Sequence, residues 1–276
     1  MPIAALLLAL AAAVVHATWN LLLSGAEDTH AATAVAAVVG VVVFAPVAAV
    51  SWRLQGSALP YVAASSGLET SYMVLLATAY SLAAMSFVYP IARGSAPVLV
   101  LAAGVLATGT GVTAPAAAGV FLIALGILLV RGVRATGNSR TRDLGLALAV
   151  GGCIAGYTLV DKHGISHGSP ISYMEIVFAL AALAYLLVAW RLRGAPALRA
   201  AVTGPTILAG VGFFGSYALT LAALKLAPAA SVAAVRESSV VIATVVATIA
   251  GRERIGAARL AGAAIVVAGI ASISLG

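Results

Sequence analysis

Apolar runs long enough to cross a lipid bilayer recur from one end of this chain to the other. "MPIAALLLALAAAVVHATWNLLLSG" opens it, and polar breaks such as "GAEDTH" (25–30) and "SLAAMS" (81–86) separate the runs that follow. A spanning helix needs ~20 consecutive, mostly apolar residues. By that measure spans are predicted at 3–24, 32–52, 60–81, 86–108, 115–133, 144–162, 170–190, 204–225, 229–250 and 256–275. The expected fold is all-α, a polytopic bundle of ten transmembrane helices. Composition supports this, since 63% of the 276 residues are hydrophobic and only 8% are charged. A soluble domain carries roughly 25% charged residues, and this chain has too few to cover a water-facing surface. The first run lacks a charged leader segment and more spans follow, so it reads as the first span rather than a cleaved signal.

The net charge of +7 does not point to nucleic acid. The basic stretches "RGVRATGNSRTR" and "GRERIGAAR" lack the aromatic interleaving of a single-strand binder and read as loop anchors. Cytoplasmic loops of membrane proteins are enriched in Lys and Arg. The loops after spans 5, 7 and 9 hold Arg131, Arg134, Arg140, Arg142, Arg191, Arg193, Arg199, Arg252, Arg254 and Arg259. The even-numbered loops hold only Arg53, Lys162 and Lys225. The bias puts the odd loops in the cytoplasm and both termini outside a multi-pass protein of the cytoplasmic membrane. The one cysteine, Cys153, permits neither an intrachain disulfide nor a cysteine metal site. No cofactor or metal is expected.

The polar stretch "RGVRATGNSRTRD" (131–143) divides the spans five and five. Setting "ARGSAPV" (92–98) over "VRESSVV" (235–241) places Arg93 on Arg236 and Ser95 on Ser238. At the same offset Gly119 meets Gly262 and Gly126 meets Gly269. Trp19 in "HATWNLLLSG" lies loosely over Tyr157 in "IAGYTLVDKHG". Because five is odd, a second copy must enter the membrane from the opposite side. The expectation is an inverted pair, 1–133 and 144–276, joined by a linker at 134–143. Secondary transporters are often built this way, with the substrate site near the midplane between the repeats.

"SFVYPIARGSAPVLVLAAGVLATGTGVTAPAAAGVFLIALGILLV" and "ASVAAVRESSVVIATVVATIAGRERIGAARLAGAAIVVAGI" each resemble the end of an EamA repeat of the drug/metabolite transporter superfamily, and "HATWN" resembles a subgroup of it. The resemblance covers nearly the whole chain, in two copies, and implies a carrier of small metabolites. Relatives often have a Lys closing the first span of a repeat. Lys162 fits in the second half, but Ser24 stands there in the first.

Arg93 and Arg236 each lie about seven residues into a predicted span, roughly 10 Å deep at the helical rise. An arginine at such depth costs at least ~2.5–3.5 kcal/mol and cannot escape by losing its proton. A partner acid, backbone carbonyls, water or a bound anion must offset that cost. Candidate acids are Glu69 and Glu175. Glu237 adjoins Arg236, but helix neighbours one residue apart point away from each other. Two readings stay open. The arginines lock helices together through these acids, or at least one meets a carboxylate or phosphate of a solute, for which the guanidinium fork is suited. Glu69 and Glu175 are also candidates for proton coupling, because a carboxyl in a low-dielectric cavity can load and release a proton. His16 is a candidate relay whose plainer role is packing. Trp19, Asn20, Tyr72, Tyr89, Tyr157 and Tyr217 are candidates for lining a pocket, with core packing as the alternative. Tyr61, Trp52 and Trp190 suit the interfacial aromatic belt. Gly152 and Gly156 form a GxxxG, and the glycines at 119/126 and 262/269 share helix faces, both suited to close helix packing. Pro90 and Pro97 flank Arg93 and are expected to kink span 4.

The sequence holds no HExxH, GxSxG, paired Asp motif or cysteine cluster, and no Walker motif. The leading expectation is therefore a secondary carrier, a monomer rather than a dimer. It moves a small anionic or zwitterionic, amino-acid-like metabolite by alternating access. The rival is an accessory membrane protein whose charges only hold the bundle, and an intramembrane enzyme ranks last.

Overall fold

The structure is a computed structural model that describes residues 1–82, 85–108, 112–131, 140–249 and 256–275. The basic stretches with Arg134, Arg252 and Arg254, and most of the 134–143 linker, lie outside the described residues. The described chain is helical: α1 (Ile3–Leu23), α2 (Thr29–Val50), α3 (Leu59–Leu82), α4 (Met85–Thr108), α5 (Ala114–Arg131), α6 (Arg140–Gly164), α7 (Pro170–Ala200), α8 (Gly204–Leu226), α9 (Ala229–Glu237), α10 (Ser239–Ile249) and α11 (Ala257–Leu275). With α9 and α10 forming one crossing, these match the ten expected spans. Among the described residues eight helical segments are long and apolar enough to cross a membrane, and Ala114–Val130 is a shorter apolar one.

Local chemistry fixes the helix starts. Asp28 accepts the Ala31 N–H at 3.0 Å ahead of α2, and Ser169 and Thr203 cap α7 and α8 in the same way. Such side chains satisfy N–H groups that a helix start leaves without partners. Pro2, Pro170 and Pro205 stand at helix starts, where a missing N–H costs nothing.

Three expectations need correction. Helix α7 runs to Ala200, so Arg191, Arg193 and Arg199 are helical and not in a loop. It bends at Gly194, whose φ of 79° lies in the left-handed region that glycine enters without a Cβ clash. Helix α4 runs unbroken through Pro90 and Pro97, whereas span 9, expected as one helix, is broken between α9 and α10. There Ser238 N bonds to Val235 O, one residue short of the α-helical register, and α9 ends just after Arg236 and Glu237. The Gly152/Gly156 pair is not one packing face. Gly152 is exposed with open space around it, while Gly156 meets Leu68 and its neighbour Gly151 packs on Ala92 of α4.

On α1 the buried face is built from small residues and the outer face from large ones. Ala5, Ala9, Ala12 and Ala13 of α1 are fully buried, whereas Leu7 and Val14 on its other face are exposed. Leu183, Leu187, Leu208 and Val267 likewise face outward. This suits lipid, where helices gain from close backbone approach more than from hiding leucines. Helices α5 and α11 carry this furthest. A Cβ on Gly126 would stand 2.7 Å from Gly262 O, and one on Gly269 would stand 2.8 Å from Gly119 O. Other principal contacts pair α1 with α8, α3 with α6, α4 with α6 and α2 with α7.

Contacts between helix ends sort the loops into two faces. On one, Ser169 N bonds to Arg53 O at 2.7 Å, Lys225 Nζ reaches Gly168 O at 2.9 Å, and the Met1 amine reaches Ile273 O at 3.3 Å. These contacts gather the loops after α2, α6 and α8 and, separately, bring the two chain ends together. On the other, Arg193 of α7 pairs with Asp28, after α1, at 3.3 Å.

Candidate functional site

Seven helices contribute polar side chains to one centre, several of them at spacings that put them on shared faces. Tyr89 and Arg93 are four apart on α4, as are Tyr157 and Asp161 on α6 and Ser65 and Glu69 on α3. Residues three or four apart on a helix are neighbours. His16 enters from α1, Tyr217 from α8, and Arg236 and Glu237 from α9.

Arg93 is 5% exposed, and its charge is met. Its Nη1 donates to both carboxylate oxygens of Glu237, at 3.0 and 3.3 Å, and its Nη2 lies 3.3 Å from His16 Nε2. The guanidinium also stands 5.4 Å from the centre of the Tyr89 ring. Glu237 could not face its neighbour Arg236, and its partner proves to be the arginine of the other half. Pro97 adds a local polar group, because it has no N–H to offer the Arg93 carbonyl one turn earlier.

Arg236 is 8% exposed and has no such partner. Among the described residues it forms no ion pair and no hydrogen bond. What covers it is the Tyr217 ring, 5.3 Å from its Cζ. Tyr217 belongs to an aromatic row, with Tyr157 at 6.1 Å and Tyr72 another 6.2 Å beyond. A cation over an aromatic face gains ~0.5–2 kcal/mol, less than the cost of burying a charge.

Sequence reasoning missed Asp161. It is fully buried and accepts hydrogen bonds from the Tyr173 hydroxyl at 2.9 Å and from the Tyr217 hydroxyl. The readable signal was the four-residue spacing to Tyr157. Glu69, 4% exposed, stands in the same field as Asp161, Arg236 and Arg93 and makes no hydrogen bond among the described residues.

Three of the residues singled out from sequence lie apart from this centre. Glu175 is half-buried on α7, its Oε2 has no hydrogen-bond partner, and it pairs with neither arginine. Asn20 donates to His16 O of its own helix at 2.8 Å. Trp19 lies edge-on to His16 at 4.9 Å and to Phe213 at 5.2 Å. It lines a separate apolar groove of 720 Å³ bounded also by Phe44, Leu208, Gly212 and Leu219. That groove touches the polar centre only through Trp19 and holds neither arginine, so it is not the charged site.

Residues 143–275 match the EamA-like transporter family, which belongs to the drug/metabolite transporter superfamily and is a family of transporters rather than enzymes. Among solved structures 29 chains match. One, described only as the crystal structure of a protein, is 18% identical, with a TM-score of 0.78 over 98% of both chains. At that identity the likeness speaks for the fold alone. No curated protein matches the chain.

Proposed function

From the match of residues 143–275 to the EamA-like transporter family we propose a secondary carrier for a small organic anion or zwitterion, amino-acid-like in its charged groups. It works by alternating access across the cytoplasmic membrane. The observation that carries this reading is Arg236, a buried guanidinium with no acid partner beside a matched arginine that has one. Arginine stays charged in any protein environment, and an unpaired charge in a water-poor interior is costly. A carboxylate or phosphate on the guanidinium fork would offset that cost with two parallel hydrogen bonds. Tyr217, Tyr157 and Tyr72 would line the path beside it. Both arginines are buried, so loading requires the bundle to open.

The arrangement of helices supports two repeats of opposite sense, 1–133 and 144–276. Exchanging α1 with α6, α3 with α8, and α4 with the α9–α10 crossing turns the α1–α8 contact into α6–α3 and the α4–α6 contact into α9–α1. Helices α2 and α7 pair with each other, as do α5 and α11.

The test is counterflow into liposomes holding the full chain, with a panel of labelled amino acids and dicarboxylates. Wild type is expected to show saturable exchange with at least one of them. Arg236→Ala should lower it on the order of a hundredfold, as losing a buried charge contact worth ~2–5 kcal/mol implies. Folding should persist, since that side chain makes no ion pair among the described residues. The accessory reading has its own support, since Arg93, Glu237 and His16 join α4, α9 and α1. Unchanged exchange in Arg236→Ala, or none with any solute of the panel, would favour it over the carrier.

A further inference from the structure

The polar centre holds more acid than the arginine pairing uses. Glu237 is committed to Arg93. Asp161 and Glu69 remain, and neither forms an ion pair among the described residues. Asp161 lies in the last turn of α6, where it receives Tyr173 from α7 and Tyr217 from α8. Glu69 and the fully buried Ser65 face the same place from α3, with the Ser65 hydroxyl directed at the Asp161–Tyr173 pair. Arg236 faces both acids from α9, and Arg93 faces Glu69 from α4. Tyr72 on α3, with Tyr157 and Cys153 on α6, completes the surroundings of Glu69. Lys162, beside Asp161 in sequence, turns away to the Leu224 and Ala227 carbonyls at the end of α8.

A charge count decides the chemistry. Arg93 has only donors, so its contact with His16 Nε2 leaves that nitrogen without a proton and the ring uncharged. Two arginines then face three carboxyl groups. If all three were ionised the closed centre would carry a net negative charge, which a water-poor interior disfavours. One proton on Glu69 or Asp161 makes it neutral. A substrate carboxylate on Arg236 adds a negative charge and calls for a second proton.

We propose that Glu69 and Asp161 form a proton-binding site that fills in step with anion binding at Arg236, with Tyr217 as the physical link. A proton from the aqueous phase bonds to a carboxylate oxygen and leaves again as that bond breaks, with no other bond changed. Protonation of Asp161 at Oδ2 displaces the Tyr217 hydroxyl, and the same ring lies under the Arg236 guanidinium. Only the anion half of this scheme rests on the carrier reading, because the proton site stands on the chain's own groups.

Infrared spectroscopy of the full chain in lipid, with the pH stepped, tests it without any transported solute. Wild type should show a buried protonated-carboxyl C=O stretch that disappears as the pH rises. The band should be absent from the double variant Glu69→Gln with Asp161→Asn. Arg236→Gln should hold the band to more alkaline pH, by about one unit or more, because a nearby positive charge favours the ionised form. Tyr217→Phe should likewise hold the band to more alkaline pH, by removing a donor that favours the ionised carboxylate. The amide bands of the same spectra report whether each variant is folded, and the two single conservative variants keep the test decisive if the double variant is not. A band that survives in a folded double variant, that never titrates in wild type, or that ignores Arg236→Gln overturns the proposal. Failed counterflow beside a positive infrared result would sink the carrier and leave the proton site standing, and the converse would do the reverse.

Discussion

Arg93 and Arg236 occupy matching places in the sequence and opposite situations in the structure. One sits in a pair with Glu237 at 3.0 Å, the other only against a tyrosine ring. Removing one partner of a buried pair strands the other, at a cost of ~3–5 kcal/mol. Arg93→Met is therefore expected to lower the thermal stability of the purified protein sharply, by leaving Glu237 alone. Arg236→Met removes a charge that makes no ion pair among the described residues and should cost clearly less. The double change Arg93→Met with Glu237→Met should recover most of what the single change loses. Unfolding curves in one detergent would show the ordering, and an equal loss for both arginines would contradict the assignment of roles. The sequence revealed both arginines, since a charge inside an apolar run stands out. It could not reveal the pairing, because Glu237 lies 144 residues from Arg93 and was weighed only against its neighbour. Asp161 escaped notice for a different reason. It adjoins Lys162 where the apolar run ends, a place where polar residues ordinarily flank a span.

At the scale of helices, periodicity gave faces and the structure supplied their partners. Glycines seven apart had to share a side of α5 and of α11, but nothing local said that these two sides meet. They do, with Gly126 against Gly262 and Gly119 against Gly269. Gly126→Ala would set a Cβ 2.7 Å from a backbone oxygen, closer than such atoms approach, and α5 would have to move off α11. Overpacking of this kind costs ~1–3 kcal/mol, so a fall in melting temperature is expected for Gly126→Ala and for Gly262→Ala. Gly152→Ala supplies the contrast. Open space surrounds that site, and alanine is the better helix former by ~1 kcal/mol. Its melting temperature should hold or rise, and a drop matching that of Gly126→Ala would mean that close approach is not what holds α5 to α11. The break between α9 and α10 was beyond pattern reading, because prolines at 90 and 97 drew the expectation to α4 while Ser238 carries no breaking signal.

For the molecule as a whole, the alternation of loops between two faces follows from the number of crossings. The Met1 amine beside Ile273 O puts the chain ends together, as ten crossings require, and Asp28 beside Arg193 joins two odd-numbered connections. Which face meets the cytoplasm is a separate matter, set by where Lys and Arg gather. Arg193 pairs with Asp28, and Arg191 and Arg199 flank it on the same end of α7. We expect that side to be cytoplasmic. Four exposed positions make this measurable in a Cys153→Ala background: Glu27 and Arg191 on one face, Gln55 and Ser166 on the other. With single cysteines placed there in intact cells, a membrane-impermeant maleimide should label Gln55→Cys and Ser166→Cys and spare Glu27→Cys and Arg191→Cys. Labelling of the second pair alone would reverse the orientation and leave the alternation intact. Labelling of Glu27→Cys together with Gln55→Cys would mean that α2 does not cross. The proposal of two opposed repeats would then fall.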